Sequence, residues 1–114
     1  MVAVLEQSQG TLQVQTPRTM SVLWSPAAFA DLAALRAYIA EDNPAAADEI
    51  VLRIFHNIEQ LLSRNPSMGR PGRVPGTREL VVPRTPYIVP YRIKAGDIEV
   101  LRVYHGARRW PDRF

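Results

Sequence analysis

The chain has no cysteine among its 114 residues, which excludes disulfide bonds and metal sites built on thiolates. A chain without cysteine suits a reducing compartment, so we expect the protein in the cytoplasm. It also has no apolar run approaching the roughly 20 residues that a helix needs to cross a bilayer. The first residues lack the apolar block of an export signal. Neither a membrane protein nor an exported one is expected.

Lysine is nearly absent, because Lys94 is the one lysine among 14 basic residues and the others are arginines. The planar guanidinium of arginine holds carboxylate or phosphate through two parallel hydrogen bonds. The net charge of +3 hides an uneven distribution: residues 64–114 carry eleven basic and four acidic residues (net +7), and residues 1–63 carry three and seven (net −4). This asymmetry indicates an acidic protein partner or nucleic acid. A plain basic surface remains the alternative.

Residues 1–19 differ in composition from the rest, being rich in glutamine and threonine with only short apolar patches. We predict that they form a flexible extension before a single domain at residues 20–114, a suitable length for one core. Leu12 and Val14 alternate with polar residues, so a short edge strand is the alternative. Met20 stands just before the first convincing strand and is a possible alternative start.

A helical hairpin is predicted after a short strand at residues 22–24. Ser25 with Pro26, and Asn43 with Pro44, each pair a capping side chain with a proline at the first helical position. Two helices joined by so few residues pack as an antiparallel pair. The apolar residues at helical spacing are Phe29, Leu32, Leu35 and Ile39 in the first helix, and Ala47, Ile50, Val51, Ile54, Ile58, Leu61 and Leu62 in the second.

Strand patterns follow a loop at residues 69–76. Apolar residues alternate from Leu80 to Val82 and again along residues 87–93, and a tight turn leads into residues 98–104. Pro90 lacks an N–H donor and therefore indicates an edge position or a bulge. The predicted fold class is α+β, an antiparallel sheet of three to four strands packed against the N-terminal helical hairpin in the order β-α-α-β-β-β.

The end of the last strand carries the residues best suited to chemistry or recognition. Tyr104, His105, Arg108 and Arg109 follow one another closely there, whereas core strands normally carry none of these types. The histidines have no neighbouring ligand at a metal-binding spacing. We therefore predict neither a metal nor a cofactor, and we place the functional site at this end.

Read in order, the motifs resemble the RelE/ParE superfamily of toxins from bacterial type II toxin–antitoxin systems. The resemblance spans residues 20–111 and implies the same fold. It also implies a toxin neutralised by a cognate antitoxin in a hetero-oligomer. Its carriers are Trp24, Ser25 and Pro26; Asn43 to Ala47; Leu61, Pro66, Met68, Gly69 and Arg70; Gly76 to Leu80; Tyr91 and Arg92; and the run from Leu101 to Arg108.

The superfamily has two branches, one that cuts messenger RNA on the ribosome and a ParE-like one that inhibits DNA gyrase by binding. The alanine-rich hairpin resembles the ParE-like branch. Several ribonuclease members have an arginine where this chain has Tyr87, just before Ile88 and Val89. The resemblance therefore implies a gyrase inhibitor of a plasmid stabilisation system. A ribosome-dependent endoribonuclease and a member without toxicity remain the alternatives.

Each branch assigns different site residues. Under the ribonuclease alternative, Tyr104 and His105 would transfer protons and Arg92 would hold phosphate. Strand alternation nevertheless puts Tyr104 and His105 on opposite faces. Arg78 and Glu79 have the simpler interpretation of a surface ion pair, and Trp110 that of docking onto the protein body. For target binding we predict Arg78, Arg102, Arg108, Arg109 and Trp110.

Overall fold

A computed structural model describes residues 19–114 of the chain. The predicted extension, with its alternative strand at Leu12 and Val14, lies outside the described residues apart from Thr19. No helix in the described part is long and apolar enough to span a membrane. The elements in chain order are β1 (Ser21–Trp24), α1 (Pro26–Ala40), α2 (Pro44–His56), a π-helical segment (Asn57–Leu62), β2 (Arg70–Pro71), β3 (Arg78–Val81), β4 (Tyr87–Lys94), β5 (Asp97–Val100) and β6 (Tyr104–His105).

Both predicted helix starts are confirmed. The Ser25 hydroxyl accepts a hydrogen bond from the Ala28 amide at 3.0 Å, and the Asn43 side chain accepts one from the Ala46 amide, also at 3.0 Å. These contacts satisfy amides that have no partner within the helix. The two helices form the predicted hairpin.

The second helix widens into a π-helical turn over residues 57–62. The predicted stripe is buried at Ala47, Ile54, Ile58 and Leu62, but Leu61 is exposed. A π turn closes hydrogen bonds to the fifth residue rather than the fourth, so the spacing that assigned Leu61 to the core no longer applies there.

The sheet confirms the predicted fold class and adds detail to it. Within residues 19–114 it has six strands in the order β1-β5-β4-β3-β2, with β6 also paired to β4. The meander β3-β4-β5 is antiparallel as predicted, whereas β1 runs parallel to β5. A parallel pair needs a long crossover connection, and the hairpin with the following strands supplies it. The sheet is therefore mixed.

A bulge interrupts the last predicted strand opposite Pro90. Tyr91 is paired with Val100, but Ile88 is paired with Tyr104, so residues 101–103 contain one residue more than the facing part of β4. The Leu101 amide donates to the Pro90 carbonyl at 2.9 Å. Pro90 has no N–H to return, and the ladder breaks there. The bulge predicted from Pro90 is confirmed, and it sets the direction of the chain into β6.

The core lies between the hairpin and one face of the sheet. Tyr91 is fully buried in it, and its hydroxyl donates to the Pro66 carbonyl at 2.6 Å and accepts from the Gly69 amide at 3.0 Å. A Cβ at Gly69 would lie 2.6 Å from that hydroxyl, so only glycine fits. The other buried members of this core are Ala28, Leu32, Leu35, Ile54, Ile58, Leu62, Leu80, Val82, Tyr87, Val89, Ile98, Val100 and Val103.

Candidate functional site

The two faces of the sheet separate the residues that the sequence brought together. Tyr104 is paired with Ile88, and His105 with Tyr87. Tyr87 belongs to the core against the helices, so the alternation of β4 and β6 places Ile88 and Tyr104 on the opposite, outer face. Tyr104 and His105 therefore contribute to different surfaces, as the alternation predicted.

The outer face ends in a basic cavity of about 640 Å³, called here the arginine pocket. Residues 106–114 supply six of its eight lining residues, because Trp110 and Phe114 of the tail after β6 pack against Tyr104. Among residues 19–114, no Asp or Glu side chain lines it. Its lining residues are Arg102, Tyr104, Arg108, Arg109, Trp110, Pro111, Arg113 and Phe114.

Tyr104 forms the floor of the arginine pocket and is only 2% exposed. The guanidinium carbons of Arg102 and Arg108 lie 4.9 Å and 4.6 Å from the centroid of its ring. Trp110 meets the same ring edge-on at 5.1 Å between centroids. Cation–π and edge-to-face contacts of this kind hold charged and aromatic groups in fixed positions. The Tyr104 ring thus organises the pocket.

Asp31 of α1 fixes one wall of the pocket from the helical layer. Its carboxylate accepts hydrogen bonds from Arg102 Nε at 2.7 Å, Arg102 Nη2 at 2.9 Å and the Val103 amide at 3.0 Å. Burial by itself raises the pKa of Asp31, but these hydrogen bonds and the charges of Arg102 and Arg108 outweigh it, so the net pKa is lowered. The same hydrogen bonds raise the pKa of Arg102. The Arg102 charge is therefore already compensated within the chain.

Glu79 fixes the opposite wall through Arg73. Its carboxylate is 1% exposed and accepts from Arg70 Nη2 at 3.0 Å and from the Arg73 amide at 2.8 Å. The Arg73 side chain reaches 3.4 Å from the carboxylate and stacks with its guanidinium carbon 3.9 Å from the Trp110 ring centroid. The contact places Trp110 on the protein body, so that interpretation is confirmed for the isolated chain.

The prediction of a surface ion pair between Arg78 and Glu79 is wrong. Arg78 instead donates to the Gly69 carbonyl and the Ser67 carbonyl, each at 3.0 Å. Neighbours on a strand point to opposite faces, and the Glu79 carboxylate is bound by the segment at residues 70–73, which begins with the edge strand β2. Sequence reasoning named Glu79 but gave it the wrong partner, and it missed Asp31 and Arg73, because these contacts depend on which distant segment packs beside the strand.

The three residues proposed for catalysis do not meet. Arg92 Nε donates to Glu99 at 2.7 Å on the outer face, away from the arginine pocket. His105 Nδ1 accepts from the Ala107 amide at 3.1 Å, and its ring lies edge-on to Tyr87 at 5.7 Å. Of the residues proposed for target binding, the structure brings together Arg102, Arg108, Arg109 and Trp110 but not Arg78. Their roles remain predictions.

A smaller cavity of about 310 Å³ opens beside α1 on the helix-facing side. Tyr87 lies in it, and burial, followed by the nearby Tyr38, raises the pKa of Tyr87. Among the described residues, no three His, Asp or Glu side chains are grouped to hold a metal ion. The cavity is lined by Asp31, Ala34, Leu35, Tyr38, Tyr87, Val103, His105 and Arg108.

Phe29, Leu52 and Phe55 are large exposed apolar side chains of the hairpin, and the half-buried Trp24 of β1 packs against Phe29 and Phe55; we call these four residues the hairpin patch. Phe29 was expected in the helical stripe, but it is 64% exposed and Ala28 is buried in its place. Leu52 is 67% exposed. Trp24 stacks on Phe55 at 6.0 Å and contacts Phe29 at 6.1 Å. A cluster of large exposed apolar groups indicates a protein–protein interface.

Comparison with known proteins gives consistent matches. The family model described as "ParE toxin of type II toxin-antitoxin system, parDE" matches residues 22–110. The chain is 43% identical over 90 residues to "Putative toxin Y4kP" of Sinorhizobium fredii, covering 79% of this chain and 92% of the relative. It is 34% identical over 87 residues to "Toxin RelE2" of Caulobacter vibrioides, covering 76% and 96%.

Two solved structures share the fold. A chain of the chromosomal ParDE system from P. aeruginosa superposes with a TM-score of 0.65 at 34% identity, covering 77% of this chain and 97% of the other. A chain of the RelBE2 toxin–antitoxin complex from Mycobacterium tuberculosis gives a TM-score of 0.57 at 27% identity, covering 76% and 98%. Both belong to toxin–antitoxin systems.

Proposed function

The chain belongs to the RelE/ParE superfamily and is a toxin of a type II toxin–antitoxin system, and from this premise we propose that it inhibits DNA gyrase by binding. Under this proposal the protein acts in the cytoplasm, and a cognate antitoxin neutralises it. The ParE family model and the ParDE structure support the ParE-like branch. The similarity to RelE2 and to a chain of the RelBE2 complex keeps a ribonuclease as the competing function.

The separation of the proton-transfer candidates from one another is the observation that carries the proposal. A general acid or base must come within hydrogen-bond reach of the reacting atoms. Tyr104 is covered by two guanidinium groups, His105 lies on the other face of the sheet, and Arg92 is bound to Glu99. This arrangement favours binding over catalysis.

The arginine pocket supplies what a binding inhibitor needs. Arg102 is compensated by Asp31, but within residues 19–114 neither Arg108 nor Arg109 forms an ion pair. Arginine and tryptophan dominate the energetics of many protein interfaces. Arg108, Arg109 and Trp110 therefore form the proposed contact with an acidic surface of the target.

Two double variants distinguish the functions. Tyr104→Phe with His105→Gln keeps side-chain shape but removes most acid–base capacity, and a gyrase inhibitor with these changes still blocks supercoiling. Arg108→Ala with Arg109→Ala should weaken target binding by about 2 kcal/mol, a factor of about 30, and more at higher salt. Arg64→Ala, an exposed arginine outside the pocket, is the matched control.

The assays are gyrase supercoiling and cleavage of ribosome-bound message. A folded Tyr104 and His105 variant that loses activity, beside an arginine variant that stays toxic, would overturn the binding proposal in favour of the ribonuclease. Acid–base participation contributes about 100-fold to 10,000-fold in rate, so the two outcomes are well separated. Unimpaired growth on expression of the folded wild-type chain would instead identify a member without toxicity.

The hairpin patch is the proposed docking surface of the antitoxin. Burial of Phe29 and Leu52 under an amphipathic segment would remove large apolar areas from water, each worth about 2 kcal/mol when fully covered. Phe29→Ser with Leu52→Ser should therefore abolish rescue by the antitoxin encoded beside this gene while toxicity persists. Leu23→Ser, an exposed leucine outside the patch, is the control and should leave rescue intact.

A further inference from the structure

We infer that the arginine pocket binds a nucleoside polyphosphate, a ligand beyond the proposed inhibition of gyrase. Three of its arginines, Arg108, Arg109 and Arg113, form no ion pair within residues 19–114, and no Asp or Glu side chain lines the cavity. Three like charges held around one cavity repel each other, and an anion between them relieves that repulsion. Within residues 19–114 no side-chain carboxylate lining the pocket supplies that anion, so the pocket is suited to one from another molecule.

The arrangement favours phosphate, and more than one phosphate group. A guanidinium binds phosphate through two parallel hydrogen bonds, and three guanidinium groups can share a chain of phosphates that carries several charges. A cavity of about 640 Å³ has room for much more than a single inorganic phosphate. Cavities of several hundred Å³ suit ligands of the size of a nucleotide.

The remaining lining offers a place for the base. Arg102 and Arg108 lie over the Tyr104 ring. Phe114 also stacks on that ring, with 6.3 Å between centroids, but it is still 39% exposed, so its open side can stack on a base. Trp110 Nε1 is a buried donor without a hydrogen-bond partner in the described part of the chain. A ligand oxygen that reached Nε1 would give this donor an acceptor and would offset the cost of its desolvation.

Titration calorimetry on the purified full chain tests the inference without gyrase or antitoxin. The probes are ATP, AMP, adenosine, inorganic pyrophosphate and a hexaglutamate peptide, at two salt concentrations. We expect ATP to bind more tightly than AMP or pyrophosphate, adenosine to bind least, and ATP affinity to fall with salt. Arg109→Ala with Arg113→Ala, both exposed, should weaken ATP binding at least about tenfold, while Arg64→Ala leaves it unchanged.

Each of these probes, and the Arg109 and Arg113 variant, can overturn the inference. Pyrophosphate as tight as ATP would reduce the site to a general anion site without a place for the base. Hexaglutamate tighter than ATP would assign the pocket to an acidic peptide. No ATP binding at millimolar concentration, or an affinity unchanged in the Arg109 and Arg113 variant, would reject a nucleotide site altogether. Tighter binding of hexaglutamate would also agree with the proposed contact between this pocket and an acidic surface of the target, whereas gyrase inhibition itself is measured separately by the supercoiling assay.

Discussion

The two faces of the sheet are built from alternate residues of the same strands, yet they are covered by different parts of the chain. The helix-facing side of β4 carries Tyr87, Val89 and Tyr91 into an apolar core. The outer side buries the charged Glu79, whose carboxylate binds Arg70 and the Arg73 amide, together with Tyr104, which is covered by arginines and by the tail. One face is stabilised by apolar burial, the other by charge pairs and cation–π contacts that end in an open pocket.

This contrast separates stability from recognition. Apolar burial is nondirectional and tolerates any partner of the right volume, so the core on the helix-facing side stabilises the fold without charge pairs of fixed geometry. Charge pairs need fixed geometry, and on the outer face that geometry positions arginines beside solvent. We expect substitutions on the first face to change the free energy of unfolding and those at the pocket to change binding.

The largest effect is expected in the apolar core. Ile54→Ala removes a fully buried side chain of α2 and leaves a cavity, so the free energy of unfolding should fall by about 3 kcal/mol. Leu52→Ala on the same helix, at a 67% exposed position, should change it by less than about 0.5 kcal/mol. Urea denaturation followed by circular dichroism measures both. Equal losses would contradict the assignment of the core to this face.

Glu79→Gln tests the charged side of the comparison. The change removes the carboxylate that holds Arg70 and Arg73, so stability should fall by about 2 kcal/mol, and Trp110 should lose its fixed contact with Arg73. Urea denaturation measures the first effect and tryptophan fluorescence the second. Glu99→Gln, which removes the half-exposed pair with Arg92, should cost about 1 kcal/mol or less. A Trp110 signal unaffected by Glu79→Gln would show that Arg73 does not hold the tail.

Asp31 joins the helical layer to the pocket, and its contribution to the free energy of unfolding should depend on pH. The pKa of Asp31 is lowered in the folded state from its ordinary value of 3.8, so the folded protein binds fewer protons than the unfolded chain. The stabilisation is fully present above about pH 5 and is lost as pH falls through and below 3.8. Asp31→Asn should cost about 1.5 kcal/mol at pH 7 and flatten this part of the pH profile of thermal unfolding. A profile as steep as that of the wild type would assign the acid sensitivity to another carboxylate.

The smallest change in the free energy of unfolding is expected in the turn between β4 and β5. This turn lies on neither face of the sheet. Ala95 has a φ of 54°, a left-handed conformation that costs a residue with a Cβ about 1 kcal/mol. Relieving this conformation by Ala95→Gly should therefore raise the free energy of unfolding. The gain should be less than about 1 kcal/mol, because the entropy that glycine adds to the unfolded chain offsets part of it. Ala37→Gly on the exposed side of α1 should lower it by about 1 kcal/mol. Stabilisation by both changes would contradict the strain at Ala95.

Local signals predicted the elements and, through Pro90, the bulge. Ser25 and Asn43 act as caps because their side chains reach amides three residues along the chain. The π-helical turn that exposes Leu61 was not predicted, since its hydrogen bonds depend on packing rather than on a local motif. The roles of the predicted site residues stay predictions, but the structure shows which of them lie together. Arg102, Arg108, Arg109 and Trp110 do share a pocket, but the residues that position them were not identified.

The sequence by itself determined the two capped helices, the meander and the excess of arginine after residue 64, because each depends on neighbours along the chain. Only the tertiary structure shows which arginine side chains form no ion pair within residues 19–114. Asp31 neutralises Arg102 across 71 positions, and Glu79 pairs with Arg70 and Arg73 rather than with its neighbour Arg78. Strand alternation turns adjacent residues to opposite faces, so the segment that packs on each face decides which oppositely charged residues pair. Which segment packs there is known only once the chain is folded.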